Sequence, residues 1–277
     1  MSRYGLIAGN GRFPLLALES ARKLGDEVVA IGIREEASPE IETLASKCYW
    51  ISLGQLSKLI EICKQERITD VMMTGQVKHA SIFSTIRPDW RLFKLLASLR
   101  EKNTAALIGG VGKVLEDEGI RLTDSTALLK PLLAADGVMT KRKPSSDEEK
   151  DARYGRRIAN ALAGLDVGQG VVICEGACVA VEAMEGTDAM LRRAASLVNG
   201  RKLTLLKASR GRQHMLFDVP VAGLNTIDVM RETGATFLAV DAGRTLLLDR
   251  EEMIGRANEA RIAIAGYPAQ DSPGTNG

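Results

Sequence analysis

The chain has 277 residues, 45% of them apolar and 26% charged, with a formal net charge of +2. That length suits two domains of ordinary size, and so small a charge gives no reason to expect a nucleic-acid partner. Aromatic residues make up only 4%, which leaves few platforms for stacking bases and few anchors for a membrane interface.

The longest apolar stretches, such as GVVICEGACVAV, are interrupted by Glu175 and Gly176, so no transmembrane span is expected. Gly9, Asn10 and Arg12 break up the N-terminal region where a signal peptide would need an apolar run, so a cytoplasmic protein is expected. The four cysteines, Cys48, Cys63, Cys174 and Cys178, lack the paired spacing of a zinc site and read as buried thiols.

In chain order, YGLIAG predicts a strand and FPLLALESARKLG a helix that stops at Gly25. EVVAIGI and CYWISL predict a second and a third strand. GQLSKLIEICKQERI places Leu56, Leu59, Ile60 and Cys63 at helical spacing, and TDVMMTG predicts a fourth strand. Strands separated by helices of this length imply right-handed crossovers and a parallel sheet. Ligands of such sheets bind beyond the carboxyl ends of the strands. Three loops therefore belong on one rim: Gly9-Asn10-Gly11, Thr74-Gly75-Gln76-Val77-Lys78, and the segment after GIRLTDST.

The turn GLIAGNGRFP suits a phosphate, because glycines admit close backbone approach and the following helix offers free N–H groups. It matches neither standard fingerprint. The third glycine of the dinucleotide motif is replaced by Pro14, and the Gly-Lys-Ser/Thr ending of a phosphate loop is missing. A tight βα connection without a ligand is the plain alternative.

The alternation breaks at DGVMTKRKPSSDEEKDARYG, where Ser146 followed by Glu148 and Glu149 predicts a helix start. Beyond it, GVVICEG and CVAVEAM predict two neighbouring strands around a turn at Glu175-Gly176. A helix over DAMLRRAASLV follows, then strands over LTLLKA, FLAVDAG and TLLLD. The expected fold class is α/β, an N-terminal Rossmann-like parallel-sheet domain followed by a mixed α/β C-terminal domain. The expected boundaries are 1–135 for the first domain, 136–145 for a linker, 146–268 for the second domain and 269–277 for a disordered tail.

Two clusters in the second half carry candidate chemistry. EAMEGTDAMLRR brings Glu182, Glu185, Thr187 and Asp188 around Gly186, and RQHMLFDVP contains His214 and Asp218. Carboxylates near a phosphate-binding rim suit Mg²⁺ or Mn²⁺, which take hard oxygen ligands. The plain alternatives are that Asp188 caps the helix after it and that Asp218 is a turn residue before Pro220.

The run LGQLSKLIEICKQERITDVMMTGQVKHASIFSTIRPDWRLFKLLASL resembles the corresponding part of the LpxI-type UDP-2,3-diacylglucosamine pyrophosphatases. So do GLIAGNGRFP, LEDEGIRLTDSTALLKPLLAADGVMT, VAVEAMEGTDAMLRR, FDVPVAGLNTI and TLLLDREEMI, in the same order over nearly the whole chain. The resemblance implies hydrolysis of UDP-2,3-diacylglucosamine to UMP and 2,3-diacylglucosamine 1-phosphate in lipid A synthesis, with a divalent cation, usually Mg²⁺. It implies at most peripheral contact with the inner membrane, and it leaves homodimerisation open.

Carried across residue by residue, the family's glycine turn falls on Gly9, Asn10 and Gly11, and its threonine-glycine loop on Thr74 and Gly75. Its Glu-Gly-Thr-Asp motif falls on Glu185, Gly186, Thr187 and Asp188, and its catalytic aspartate on Asp218. Gln76, Lys78, Asp124, Lys207 and Gln213 complete the expected substrate contacts. Lys78, Lys207 and Arg210 or Arg212 are the candidate phosphate cations, and Met184 and Leu216 the candidate lining of an acyl groove. Asp218, Glu185 and Asp188 are the expected metal ligands, with Asp218 also orienting water.

Relatives read Lys-Pro-x-Gln-Asp-x-Arg before that aspartate, whereas this chain reads Arg210-Gly211-Arg212-Gln213-His214-Met215-Leu216. An acidic pair of the family is replaced by Asn103-Thr104. A binder of UDP-sugar lipids that has lost turnover is therefore a competing expectation. A nicotinamide oxidoreductase is a second one, opposed by the missing third glycine.

Overall fold

The computed structural model describes residues 3–75, 77, 87–99, 104–165, 167–209 and 219–269. It divides into two compact units, Met1–Leu129 and Lys130–Gly277.

The first unit is built on five parallel strands, β1 (Arg3–Ala8), β2 (Glu27–Ile33), β3 (Lys47–Ile51), β4 (Asp70–Thr74) and β5 (Arg121–Leu122), in the order β3-β2-β1-β4-β5. Helix α1 (Phe13–Leu24) follows β1 and ends at Gly25, whose φ of 73° accepts the left-handed cap. The helix Leu56–Gln65 buries Leu56, Leu59, Ile60 and Cys63, the stripe its spacing predicts. β1 lies between β2 and β4, so the chain leaves it in one direction and returns on its other side. That reversal opens the crevice where α/β sheets bind ligands.

The second unit has a six-stranded sheet in the order β6-β13-β11-β9-β7-β8. Its strands are β6 (Gly137–Val138), β7 (Gly170–Cys174), β8 (Ala177–Val181), β9 (Leu203–Lys207), β11 (Ala235–Ala242) and β13 (Ala263–Pro268). β9, β11 and β13 are parallel, while β6, β7 and β8 run antiparallel to their neighbours. β10 (Val221–Ala222) and β12 (Leu246–Leu247) pair separately. Both faces of the large sheet are covered. Val172, Leu203, Leu205, Leu238 and Ile264 join one core, and Val171, Ile173, Leu206, Phe237 and Ala265 the other. Burial on both faces explains why these strands read as continuous apolar runs. The β7–β8 turn is at Glu175 (φ 49°) and Gly176 (φ 80°), the conformation a two-residue hairpin requires.

One expectation is corrected. Residues 136–145 do not form a linker. β6 pairs with the edge of β13, the Met139 N–H donates to the Ile264 carbonyl at 2.9 Å, and the Ile264 N–H donates to Thr140 Oγ1 at 2.9 Å. The segment satisfies backbone groups that the edge of β13 would otherwise leave unpaired. The helix Ser146–Gly164 starts at Ser146 as expected, with Ser145 as its N-cap in a capping box with Glu148. The expected tail lies outside the described residues beyond Ala269.

Candidate functional site

In the first unit the glycine turn and the threonine-glycine loop follow adjacent parallel strands and touch. The Gly9 N–H donates to the Thr74 carbonyl at 2.8 Å, and Thr74 Oγ1 donates to the Ile7 carbonyl at 3.4 Å. Gly75 has a φ of 82°, and a Cβ there would meet the Asn10 carbonyl oxygen at 2.5 Å and Gly9 C at 2.9 Å. Gly11 is different. It is exposed with a φ of 93°, and its Cβ position has nothing within 4 Å, so the turn is open on that side. α1 begins after Arg12 with no acidic residue in its first turn, so no carboxylate of that turn competes for its positive end.

Asp124, which follows β5, folds back on its own chain. Its Oδ1 accepts from the Thr126 N–H at 2.8 Å and the Thr126 hydroxyl at 2.7 Å. Gln76, Lys78, Arg210, Arg212, Gln213, His214, Leu216 and Asp218 lie outside the described residues, as does Asn103.

In the second unit three of the expected residues meet at one end of the large sheet. Lys207 ends β9 and shares the face of Leu203 and Leu205, as strand alternation requires. It is 9% exposed, and its Nζ donates to Thr187 Oγ1 at 2.9 Å and the Val221 carbonyl at 2.7 Å. Thr187 in turn donates to Glu182 Oε1 at 2.7 Å, while Glu182 Oε2 is buried and has no hydrogen-bond partner among the described residues. Gly170, opposite Lys207 across the β7–β9 pair, makes room for that carboxylate, since a Cβ there would stand 2.5 Å from Oε2. Gly186 (φ 81°) begins the helix Thr187–Val198. A buried ammonium and a half-buried carboxylate thus share one hydroxyl, and a helix starts at that hydroxyl.

The two other carboxylates of the motif face elsewhere. Glu185 pairs with Arg193 at 2.6 Å and accepts from the Ala183 N–H at 3.1 Å. Hydrogen bonds from its own N–H and from Arg193 hold it below the usual carboxylate value. Asp188 is not the helix cap. It sits in the first turn, and its Oδ2 accepts from Asn225 Nδ2. Among the described residues no three His, Cys, Asp or Glu side chains gather as a cation site, so Glu185 and Asp188 do not fit a divalent cation by themselves. Met184, expected in an acyl groove, is 81% exposed.

A surface cavity of about 480 Å³ lies beside Asn225, lined also by Arg192, Asp228, Val229, Arg231 and Glu232. Its arginines already face acids, Arg192 with Glu232 and Arg231 with Asp228, so it offers little to an anionic substrate. The four thiols are free, and burial pushes Cys63 up to about 11.

The sequence singles out Lys207 and Thr187 but not the Thr187 hydroxyl as the bridge between Lys207 and Glu182. The signal was present in LTLLK, where alternation puts Lys207 on the face of Leu203 and Leu205. The partner comes from another strand end, and nothing local announces it.

The LpxI N-terminal domain model matches residues 3–132 and the LpxI C-terminal domain model residues 135–265. The chain is 31% identical to a Caulobacter vibrioides protein named UDP-2,3-diacylglucosamine pyrophosphatase LpxI, over 99% of this chain and 100% of that one. Solved structures overlap only loosely. A biotin carboxylase domain of the 2-oxoglutarate carboxylase from Hydrogenobacter thermophilus has 13% identity and a TM-score of 0.27, covering 72% of this chain and 42% of that one. A glycinamide transformylase T from Mycobacterium tuberculosis has 13% identity and a TM-score of 0.28, covering 62% and 38%. The chain spans well under half of those structures, and overlaps at this level carry neither fold nor function.

Proposed function

Because the chain belongs to the LpxI family along both of its domains, we propose that it hydrolyses UDP-2,3-diacylglucosamine to UMP and 2,3-diacylglucosamine 1-phosphate. The observation that carries this reading is the end-to-end likeness to a protein of that name. The reaction belongs to lipid A synthesis and would take place in the cytoplasm, on the bacterial inner membrane's inner side.

The residues divide by chemistry. The backbone of Gly9, Asn10, Gly11, Thr74 and Gly75 suits the UDP end, because an open glycine turn at a helix start presents N–H groups to phosphate. Lys207, fixed by Thr187 and Val221, suits a phosphate oxygen. Asp218 is proposed as the catalytic carboxylate, and Mg²⁺ or Mn²⁺ as the accompanying cation, which would neutralise the diphosphate. Purified protein incubated with UDP-2,3-diacylglucosamine should release UMP, and exhaustive chelation should stop it. Full turnover without divalent cations would remove the metal from this reading.

The altered segment Arg210–Leu216 favours a second reading, a UDP-sugar-lipid binder without turnover. Tight UDP-lipid binding with no UMP would select it.

A further inference from the structure

The helix Trp90–Ser98 carries an exposed aromatic pair in a chain that has 2 tryptophans and 5 phenylalanines. Trp90 is 74% exposed and Phe93 53%, with their rings stacked at 6.0 Å between centroids and 23° between planes. The opposite face is ordinary core, with Leu92 and Leu95 buried. Position 93 follows 90 by one helical turn, so the two rings form one stripe.

Exposed cations flank this stripe. Arg87, Arg91 and Lys94 are exposed, and the stretch WRLFKLLASLR contains no acid. Asp89 is occupied as the helix N-cap. Its carboxylate accepts from the Leu92 N–H at 3.0 Å and the Ser57 N–H at 2.6 Å. Arg91 pairs with Glu118, which leaves Arg87 and Lys94 as the flanking cations.

We propose that Trp90 and Phe93, flanked by Arg87 and Lys94, dock this protein on an anionic lipid surface. Exposed aromatic rings beside cations match the boundary between acyl chains and anionic headgroups, where tryptophan is enriched and Lys and Arg meet phosphate. A second protein is a poorer match. A stable interface takes about 800 Å² from each partner, and two rings supply about 150–250 Å² each.

The placement agrees with such a role. The Asp89 N–H donates to the Gly54 carbonyl at 2.9 Å, and Gly54 follows the carboxyl end of β3. The aromatic helix therefore starts on the rim that carries the glycine turns. A substrate with two acyl chains would be met at a membrane surface, and to that extent the inference rests on the proposed reaction.

The test is co-sedimentation of the full chain with phosphatidylglycerol-containing vesicles, against pure phosphatidylcholine vesicles. The wild type should bind the anionic vesicles and release with salt. Trp90→Ser/Phe93→Ser and Arg87→Glu/Lys94→Glu should each lose at least about tenfold in binding, with unchanged melting temperatures. Trp90 emission should shift to the blue on binding and be quenched by brominated lipid. Trp90→Phe should remove that signal while binding persists.

No binding by the wild type, or equal binding by the double variants, overturns the proposal. So does a dimer in light scattering that Trp90→Ser/Phe93→Ser dissociates, since a second copy would then cover the patch. UMP release from detergent-dispersed substrate keeps the two readings apart. Docking without UMP release removes the reaction alone, and UMP release without docking removes the lipid surface alone.

Discussion

Gly75 lies against the carbonyl of Asn10 so closely that a Cβ at residue 75 would stand 2.5 Å from that oxygen. The contact fixes the loop after β4 on the turn after β1, and it is backbone on backbone, so no rotamer can relieve it. Gly75→Ala should therefore displace the Asn10 peptide and weaken UDP binding by at least about tenfold. Gly11→Ala meets no neighbour and bears only the strain of its positive φ, about 1 kcal/mol. Calorimetry with UDP and thermal melting of both variants check this. A larger loss of UDP affinity in Gly11→Ala than in Gly75→Ala would show that the open turn, not the clasp between the loops, holds the nucleotide.

Lys207→Met should lower kcat/KM by about a hundredfold if the ammonium meets a phosphate oxygen. Loss of its bonds to Thr187 and Val221 should cost about 1–2 kcal/mol of stability as well. Glu182→Gln keeps the acceptor for Thr187 and removes the carboxylate charge, so its effect on kcat/KM should be the smaller of the two. Steady-state kinetics alongside melting curves separate the roles. A melting temperature that falls while kcat/KM stays constant in Lys207→Met would make the cluster purely structural.

The first-unit crevice was legible because its parts are local. Apolar runs, the glycine turn and the Gly25 cap each occupy a few consecutive residues. The Glu175-Gly176 hairpin turn was legible for the same reason. The segment 136–145 was not, because its charges suggested solvent while Arg142 in fact forms a bidentate pair with the buried Glu148, at 2.8 Å on each side. β6 and β10 are two residues long and too short to show any period. The plain alternative that Asp188 caps its helix fails because composition alone cannot distinguish the N-cap from the first turn, and Gly186 holds the cap position.

Glu148 should make acid stability depend on pH. Burial alone would raise its pKa, but hydrogen bonds from Arg142, Thr236 and the Ser145 N–H outweigh it and lower the value from 4.5 to about 2. A depressed carboxylate contributes stability above its unfolded value and loses it as pH falls through the folded one. The contribution, up to about 3 kcal/mol, should be present above pH 4.5 and disappear between there and pH 2. Glu148→Gln should be less stable at pH 7 and show a flatter profile through that window. Equal acid profiles for the two proteins would contradict the assignment.

Asp218→Asn should lose turnover while keeping the substrate bound, because a water-orienting carboxylate acts mainly on the transition state. A fall of at least about a hundredfold in kcat with KM within a fewfold is the expected pattern. His214→Ala should have a modest effect if Asp218 supplies the catalytic carboxylate. The reverse result, with His214→Ala inactive and Asp218→Asn near normal, would transfer the chemistry to the altered segment.

The central claim concerns which bond is broken, and product identification in ¹⁸O-water tests it most directly. The reaction of UDP-2,3-diacylglucosamine with this protein should give UMP and 2,3-diacylglucosamine 1-phosphate in equal amounts, with the label on one of those two monophosphates. UDP with free diacylglucosamine would place the cleavage at the glycosidic bond, and unchanged substrate under saturating binding would make the protein a carrier. Either result would contradict the account.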